Sequence, residues 1–408
     1  MTLATIANTA FAQFSEFEGN GNSPYTIVGE NNTLQIGGRT SAYYEYRALK
    51  SGEDNKDHNG WGLKDMDLDV LGKTKSKFVY EFHMSIVDLA TAAATQNTAN
   101  SANPGIKAAY LAYNGWPVHI KLGYDKLPYS QGSIIDVYAT PFWSHANLYG
   151  GDLFSRRDFG LTLSGTINNH IVLYGGGYSG MGENYFEYGT DRSGTMEYVG
   201  RVEYVSANMK YRAIDEEGSP IPIYRIGLNA RYMDKTQPAG KTQTYGGSDP
   251  TADGFAANYG DAQGIYGMRI FDGKRTIYGG DFIVKYKGFS LVFEEDLIKM
   301  QPTSPLDPLY QGTSESVNGG VINAGGFCAS AHYNCEPIKS AFSVQYENVN
   351  VNDLAPGHQE WLFIGYAYKV SRFNSVFKAE YSYPMVEDQA SNPLKYTGQI
   401  RVGYQIVF

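Results

Sequence analysis

The chain has 408 residues, a net charge of −9, 14% aromatic and only 18% charged residues, with 34 tyrosines and 47 glycines. Its texture is uniform from end to end, which argues against a string of separate soluble domains. No stretch approaches the roughly 18 consecutive apolar residues of a membrane helix, so a bilayer-spanning form must be a closed sheet with a polar interior.

Taken in chain order, residues 1–12 are apolar and end in Ala10, Phe11 and Ala12, which fits the small-x-small rule of signal-peptide cleavage. They read as the residue of a signal peptide that lacks its charged start, with mature chain from near Gln13 and an extension over 13–32. The alternative is an apolar arm or a plug segment. From 33 to 408, segments alternating apolar and polar recur at 34–46, 63–72, 77–87, 106–113, 118–125, 157–167, 169–178, 197–205, 223–233, 277–287, 289–298, 339–347, 361–369, 376–383 and 396–407. A weaker one at 264–271 completes an even set. Period-2 alternation sends successive side chains to opposite faces of a sheet, and single-chain bacterial barrels use even strand numbers. The expected fold is therefore an all-β transmembrane antiparallel β-barrel of about sixteen strands.

The last strand shows the pattern most clearly. Tyr396, Gly398, Ile400, Val402, Tyr404, Ile406 and Phe408 form an oily face with aromatics near both ends; Thr397, Gln399, Arg401, Gly403 and Gln405 form a wet one. Aromatics flanking an apolar band are what a strand exposed to lipid needs. Tight turns are expected at 72–76, Asn114-Gly115, Asn168-Asn169, Lys287-Gly288 and 371–374. Long loops are expected at 88–105, 126–156, 179–196, 206–222, 234–263, 299–338 and 384–395. The two kinds alternate along most of the chain, which places the tight turns toward the periplasm.

Sorting each strand by face assigns the lumen. Phe78, Tyr80, Phe82 and Met84 face lipid, so Lys77, Glu81 and His83 point inward; Asp65, Asp67 and Asp69 do the same. Tyr198, Val202 and Tyr204 face out beside inward Glu197, Arg201 and Glu203. Tyr224, Ile226, Leu228 and Tyr232 face out beside inward Arg225, Asn229 and Arg231. Arg39, Glu45, Lys121, Lys285, Lys378, Glu380 and Arg401 join the lumen set. Charge at mid-depth toward lipid costs several kcal/mol, and its regular placement on the other face supports the orientation. Opposed charges across a lumen more often brace the wall than bind a solute. Asp65, Asp67 and Asp69 also give a weak calcium signal, since oxygen ligands at alternating positions need other strands to complete a shell.

Cys328 and Cys335 are the only cysteines. In an exported protein, two cysteines close together within a loop read as a local disulfide; a metal site with His332 lacks a fourth ligand. Enzyme readings find no support. His83, His119 and His170 fall on strands, yet no serine sits in a Gly-x-Ser-x-Gly setting, and the glycines at 175–177, 180 and 182 lack the Lys-Ser/Thr pair of a phosphate cradle. No cofactor, resident metal or nucleic-acid partner is expected.

Two stretches, Leu68–His83 and the block from Val118–Tyr129 to Ser155–Gly165, resemble the phosphate-selective porin O and P family. There, a strand with glycine, basic residue, proline and aromatic runs into a long loop and re-emerges at an Arg-Asp-x-Gly strand. The resemblance covers roughly 33–408. It implies a sixteen-stranded outer-membrane barrel, usually trimeric, whose third loop folds inward. Here that loop is 126–156, with Lys126 at its entry and Arg156 and Arg157 at its exit, and with Tyr129, Tyr138, Phe142, Trp143 and Tyr149 available to pack against the wall. The resemblance does not carry the solute over, because the lumen mixes arginines with nearly as many carboxylates and anion selectivity needs a ring of one sign. The expected function is passive diffusion of small hydrophilic solutes, including anions such as phosphate, through a water-filled pore in the outer membrane. The alternatives are an adhesive or structural barrel with a plugged lumen, and a carbohydrate channel using the loop aromatics.

Overall fold

The computed structural model describes residues 25–49, 58–89, 105–146, 148, 156–179, 196–206, 209, 211–235, 273–302, 321–350, 358–372, 374–387 and 396–408. The signal-peptide segment 1–12, the strand candidate 264–271 and Tyr149 lie outside these residues. Among the described residues, seventeen strands form one sheet. They are β1 (Tyr25–Val28), β2 (Asn32–Leu49), β3 (His58–Thr74), β4 (Phe78–Ser85), β5 (Ile106–Tyr113), β6 (His119–Lys126), β7 (Arg157–Ile167), β8 (Ile171–Tyr178) and β9 (Glu197–Val205). They continue as β10 (Ile223–Lys235), β11 (Gly273–Tyr286), β12 (Phe289–Pro302), β13 (Ile322–Cys335), β14 (Ser340–Asn350), β15 (Gln359–Ser371), β16 (Ser375–Glu387) and β17 (Tyr396–Val407).

From β2 onward every strand pairs antiparallel with the next, and β17 pairs back onto β2 through Arg401↔Glu45 and Val407↔Arg39. The ring of sixteen is thereby closed and has no free edge, as hydrocarbon requires of a sheet. Strand spacing and the usual tilt give such a ring a backbone diameter of about 30 Å. Beyond the C terminus, where Phe408 and Gly38 exchange backbone hydrogen bonds, β1 pairs with β2 from Thr33 to Ile36. It lies outside the ring and covers the exposed end of β2.

The faces sort as alternation dictates. On β9, Glu197, Arg201 and Glu203 are buried while Tyr198, Val202 and Tyr204 are exposed. Tyr198 pairs with Tyr232 at one end of the outer band, and Tyr204 stacks on Tyr224 at the other. Eight residues of tilted strand separate Tyr224 from Tyr232, roughly 20 Å of membrane depth. Two hairpin turns, Asn168-Asn169 and Lys287-Gly288, hold both central residues at positive φ, the twist that matches two-residue connections to their strands.

Three expectations are corrected. The sixteenth strand is β13, placed at 322–335 within a stretch read as loop; its outward positions carry only Phe327 and Tyr333 among Ala329 and Ala331, too little bulk to register as alternation. Cys328 and Cys335 consequently stand seven residues apart on one extended strand. That is about 23 Å, well beyond disulfide reach, and no disulfide joins them. The 206–222 connection, grouped with the long loops, joins β9 to β10 on the rim that otherwise carries tight turns.

Along β12, alternation also sends Glu295 outward, between Phe293 and Leu297 and opposite Gly280 of β11 and Phe327 of β13. Its neighbour along that level is Leu228, paired with Gly280 at the middle of the band. A carboxylate facing lipid at this depth is destabilising. Glu295→Leu is expected to raise the thermal unfolding midpoint of the detergent- or lipid-embedded barrel, read by the heat-induced gel shift; a lowered midpoint would contradict lipid exposure there.

Candidate functional site

The site is the lumen, and its first component is the segment after β6. Lys126 pairs with Arg157 at the head of β7, and the Leu127 N–H reaches the Arg156 carbonyl. The chain then enters the barrel. Ser130 caps a one-turn helix, α1 (Gln131–Ile134), through a reciprocal bond with Ser133, and a 3-10 turn follows at Val137–Ala139. Leu127, Tyr129, Tyr138, Phe142 and Trp143 are all buried.

An irregular segment inside a barrel has backbone groups that no ladder satisfies, and the inward strand side chains supply their partners. On one side, Gly132 N–H donates to Glu294 (2.7 Å), Gln131 N–H to Asp281 (3.2 Å) and Tyr129 Oη to Asp296 (2.6 Å). Arg201 joins this group, donating to Asp281 (2.5 and 2.8 Å), to Glu203 (2.6 Å) and to the Tyr129 carbonyl (2.9 Å). Across the lumen, Lys378 Nζ donates to the carbonyls of Val137, Tyr138 and Phe142 (3.2–3.3 Å). Trp143 N–H donates to Glu380 (2.6 Å), Gln405 to the Tyr138 carbonyl (3.0 Å) and Arg401 to Ser144 (2.6 Å). Phe142 meets Phe363 edge-on, and Trp143 meets Tyr43. The loop aromatics therefore pack against the wall rather than stand in a row along a path.

Most lumen residues expected from sequence face inward and are engaged; Lys77 is instead exposed in the turn before β4, at positive φ, and the inward Asn229 side-chain amide has no partner among the described residues. Arg39 pairs with Asp67 (2.6 Å) and Asp65 (3.3 Å), Lys121 with Asp125 (2.5 Å), and Arg401 with Glu45 (2.7 Å). Arg231 and Arg275 share Glu197 at 2.7 and 3.0 Å. Arg225 lies 3.6 Å over the Tyr211 ring and donates to the Met209 carbonyl. The mixed charges of the lumen thus brace the wall and hold the segments inside it.

The three residues expected at the loop's ends come together. Lys126 donates to Asp136 (2.6 Å) and the Ile134 carbonyl (3.2 Å), while Arg156 grips the Ser133 carbonyl (3.1 and 3.0 Å). Sequence reasoning missed a fourth cation. A bulge between Ser41 and Ala42 leaves Lys64 unmatched in the β2–β3 ladder. Bulges re-aim side chains, and this one turns Lys64 to the lumen side, near Asp65, Glu380, Arg401 and Arg39. On the inward segment, partial burial and then the surrounding Arg156, Lys64, Lys126 and Arg157 hold the His145 imidazole well below the usual histidine range.

For metal chemistry, Asp65 and Asp67 are taken up by Arg39, which removes them from a calcium ladder with Asp69. Asp69, Glu81 and His83 instead have ligand atoms within 4.8 Å of one another. Tyr110 Oη donates to Glu81 at 2.8 Å, and His83 Nε2 lies 3.4 Å from Asp67. These contacts make the group a polar knot between β3, β4 and β5.

The sequence profile of the phosphate-selective porin O and P family matches residues 34–217, a range that contains both motifs noted above. A search of curated proteins finds no match. Among solved structures, the outer-membrane protein OmpT of Vibrio cholerae is 9% identical, with 94% of this chain and 100% of that chain covered and a TM-score of 0.55. An anion-selective porin from Comamonas acidovorans is 11% identical, with 92% and 100% covered and a TM-score of 0.54. The trimer form of the V. cholerae OmpT is 10% identical, with 92% and 99% covered and a TM-score of 0.51. At these identities the likeness is one of fold.

The Arg201 network makes a sharp energetic prediction. Removing one partner of a buried ion pair strands the other, at a cost of roughly 3–5 kcal/mol, whereas removing both does not. Arg201→Met should therefore lower the barrel's unfolding midpoint strongly, and Arg201→Met with Asp281→Leu should recover a large part of the loss. Equal loss in the single and double variants would contradict the bracing role.

Proposed function

We propose that this outer-membrane barrel of porin type lets small hydrophilic solutes diffuse passively across the membrane, with the inward segment 126–156 setting the size limit and biasing passage toward anions. The observation that carries the charge bias is the placement of three cations where the inward segment leaves and rejoins the wall: Lys126 stands opposite Arg157 in the β6–β7 ladder, and Arg156 grips the Ser133 carbonyl. Elsewhere many wall charges stand in opposed pairs, such as Arg401 with Glu45 and Arg231 with Glu197. An excess of one sign at a narrow point is what selectivity requires.

The size limit rests on the segment's position. It touches inward side chains of β2, β9, β11, β12, β15, β16 and β17, so it extends across a lumen whose wall alone would leave a wide channel. Tight turns facing the periplasm and longer connections facing outward complete the arrangement. Homotrimeric assembly is part of this reading, supported by the trimer form of the similar OmpT barrel. A plugged, adhesive or structural barrel is the competing reading, favoured by how fully the inward charges are engaged.

Replacing Arg156 and Arg157 together with glutamate should shift the reversal potential in a salt gradient toward cations, and Lys64→Glu should shift it the same way. Added phosphate should reduce the current of the wild type more than that of either variant. An unchanged reversal potential in all variants would remove these residues from the selective point.

A further inference from the structure

The connection between β9 and β10 has a use that the third loop does not explain. It lies on the rim where the other connections are tight turns, yet Met209, Tyr211, Ala213, Ile214 and Asp215 are buried. A connection that merely ran over the rim would leave such residues in water. Its path can be followed by its contacts. Near β9, Tyr211 Oη donates to Glu203 and lies 3.3 Å from Tyr174 Oη. Farther along, Asp215 accepts from the Gly288 N–H at 2.8 Å, and its carbonyl accepts from Asn334 at 3.3 Å. At the far side Ile214 packs with Ala341, Ala367 and Val376, inward residues of β14, β15 and β16 at the same rim. β9 and β15 stand six strands apart in a ring of sixteen, so the segment reaches well beyond the β9–β10 corner where it starts.

It also meets the segment coming from the opposite rim. Ile134 and Ile135 share one apolar cluster with Met209, Tyr211 and Ala213, backed by Val172, Tyr174, Val205 and Ile283 of the wall. An apolar cluster inside a water-filled lumen persists because separating its halves would expose them to water.

Resting on the porin reading above, we infer that the described part of the β9–β10 connection, Met209 and residues 211–222, forms a second restriction in series with the inward segment after β6, entering from the tight-turn rim, and that the two together set the solute size limit. The Ile214 contact fixes its far end and the Ile134–Tyr211 contact couples it to the first restriction.

The test is single-channel conductance of the purified full chain and of a variant in which residues 207–223 are replaced by Asn-Gly, which closes β9 and β10 with a two-residue turn. Folding is read by the heat-induced gel shift. The expected result is a conductance raised roughly two-fold or more, with larger neutral polymers able to enter the pore. If the shortened chain does not fold, Tyr211→Gly with Ile214→Gly keeps the chain length and should raise conductance in the same direction. An unchanged conductance and polymer cut-off in a folded variant, with a conducting wild type, would overturn the second restriction and leave the porin reading intact. A silent wild type beside a conducting variant would instead refute passive diffusion and keep the β9–β10 connection as an obstruction.

Discussion

Everything in this structure follows from the absence of water in the hydrocarbon layer. Backbone groups there must find partners within the protein, so the sheet must close, and β17 does close it onto β2. Closure makes each strand two-faced. One face receives tyrosines, leucines and valines; the other receives the charges that lipid would reject. Once inside, those charges have limited water, and pairing such as Arg201 with Asp281 or Arg231 with Glu197 is how they remain there.

The same constraint explains how irregular chain can enter the barrel. The chain from Leu127 to Ala146 brings unladdered N–H and C=O groups to membrane depth, and the wall meets them with groups of the right polarity. Carboxylates of Asp281 and Glu294 take N–H groups at α1, and the ammonium of Lys378 takes three carbonyls near the 3-10 turn. Wall charge and loop conformation are therefore one device. A lumen that looks electrically mixed in sequence is locally ordered, with each irregular stretch met by wall groups of the opposite polarity.

The fold was largely legible because alternation is a local signal. Fifteen of the alternating segments coincide with strands, and the inward assignment of Glu81, His83, Arg201, Arg225 and Lys378 follows from parity alone. Parity fails where geometry departs from it. Lys64 has no place in the lumen set because it stands at a bulge that breaks the β3 alternation, and β13 was read as loop because its outward face is mostly alanine and glycine. The disulfide expectation failed with it, since a loop brings nearby cysteines together and a strand holds them apart. The cations at the ends of segment 126–156 were legible as a group. Their internal bonds to Asp136 and to the Ser133 and Ile134 carbonyls were not, because those depend on how the segment folds back.

The most direct measurement is the single-channel record of the purified wild-type protein in a planar bilayer under steady voltage and a salt gradient. An inward-narrowed diffusion pore predicts steady unitary steps, smaller than an unobstructed sixteen-stranded barrel would give, with a reversal potential on the anion side. Insertion of folded protein without any conductance would contradict the account and favour a barrel whose lumen is sealed by the segments inside it.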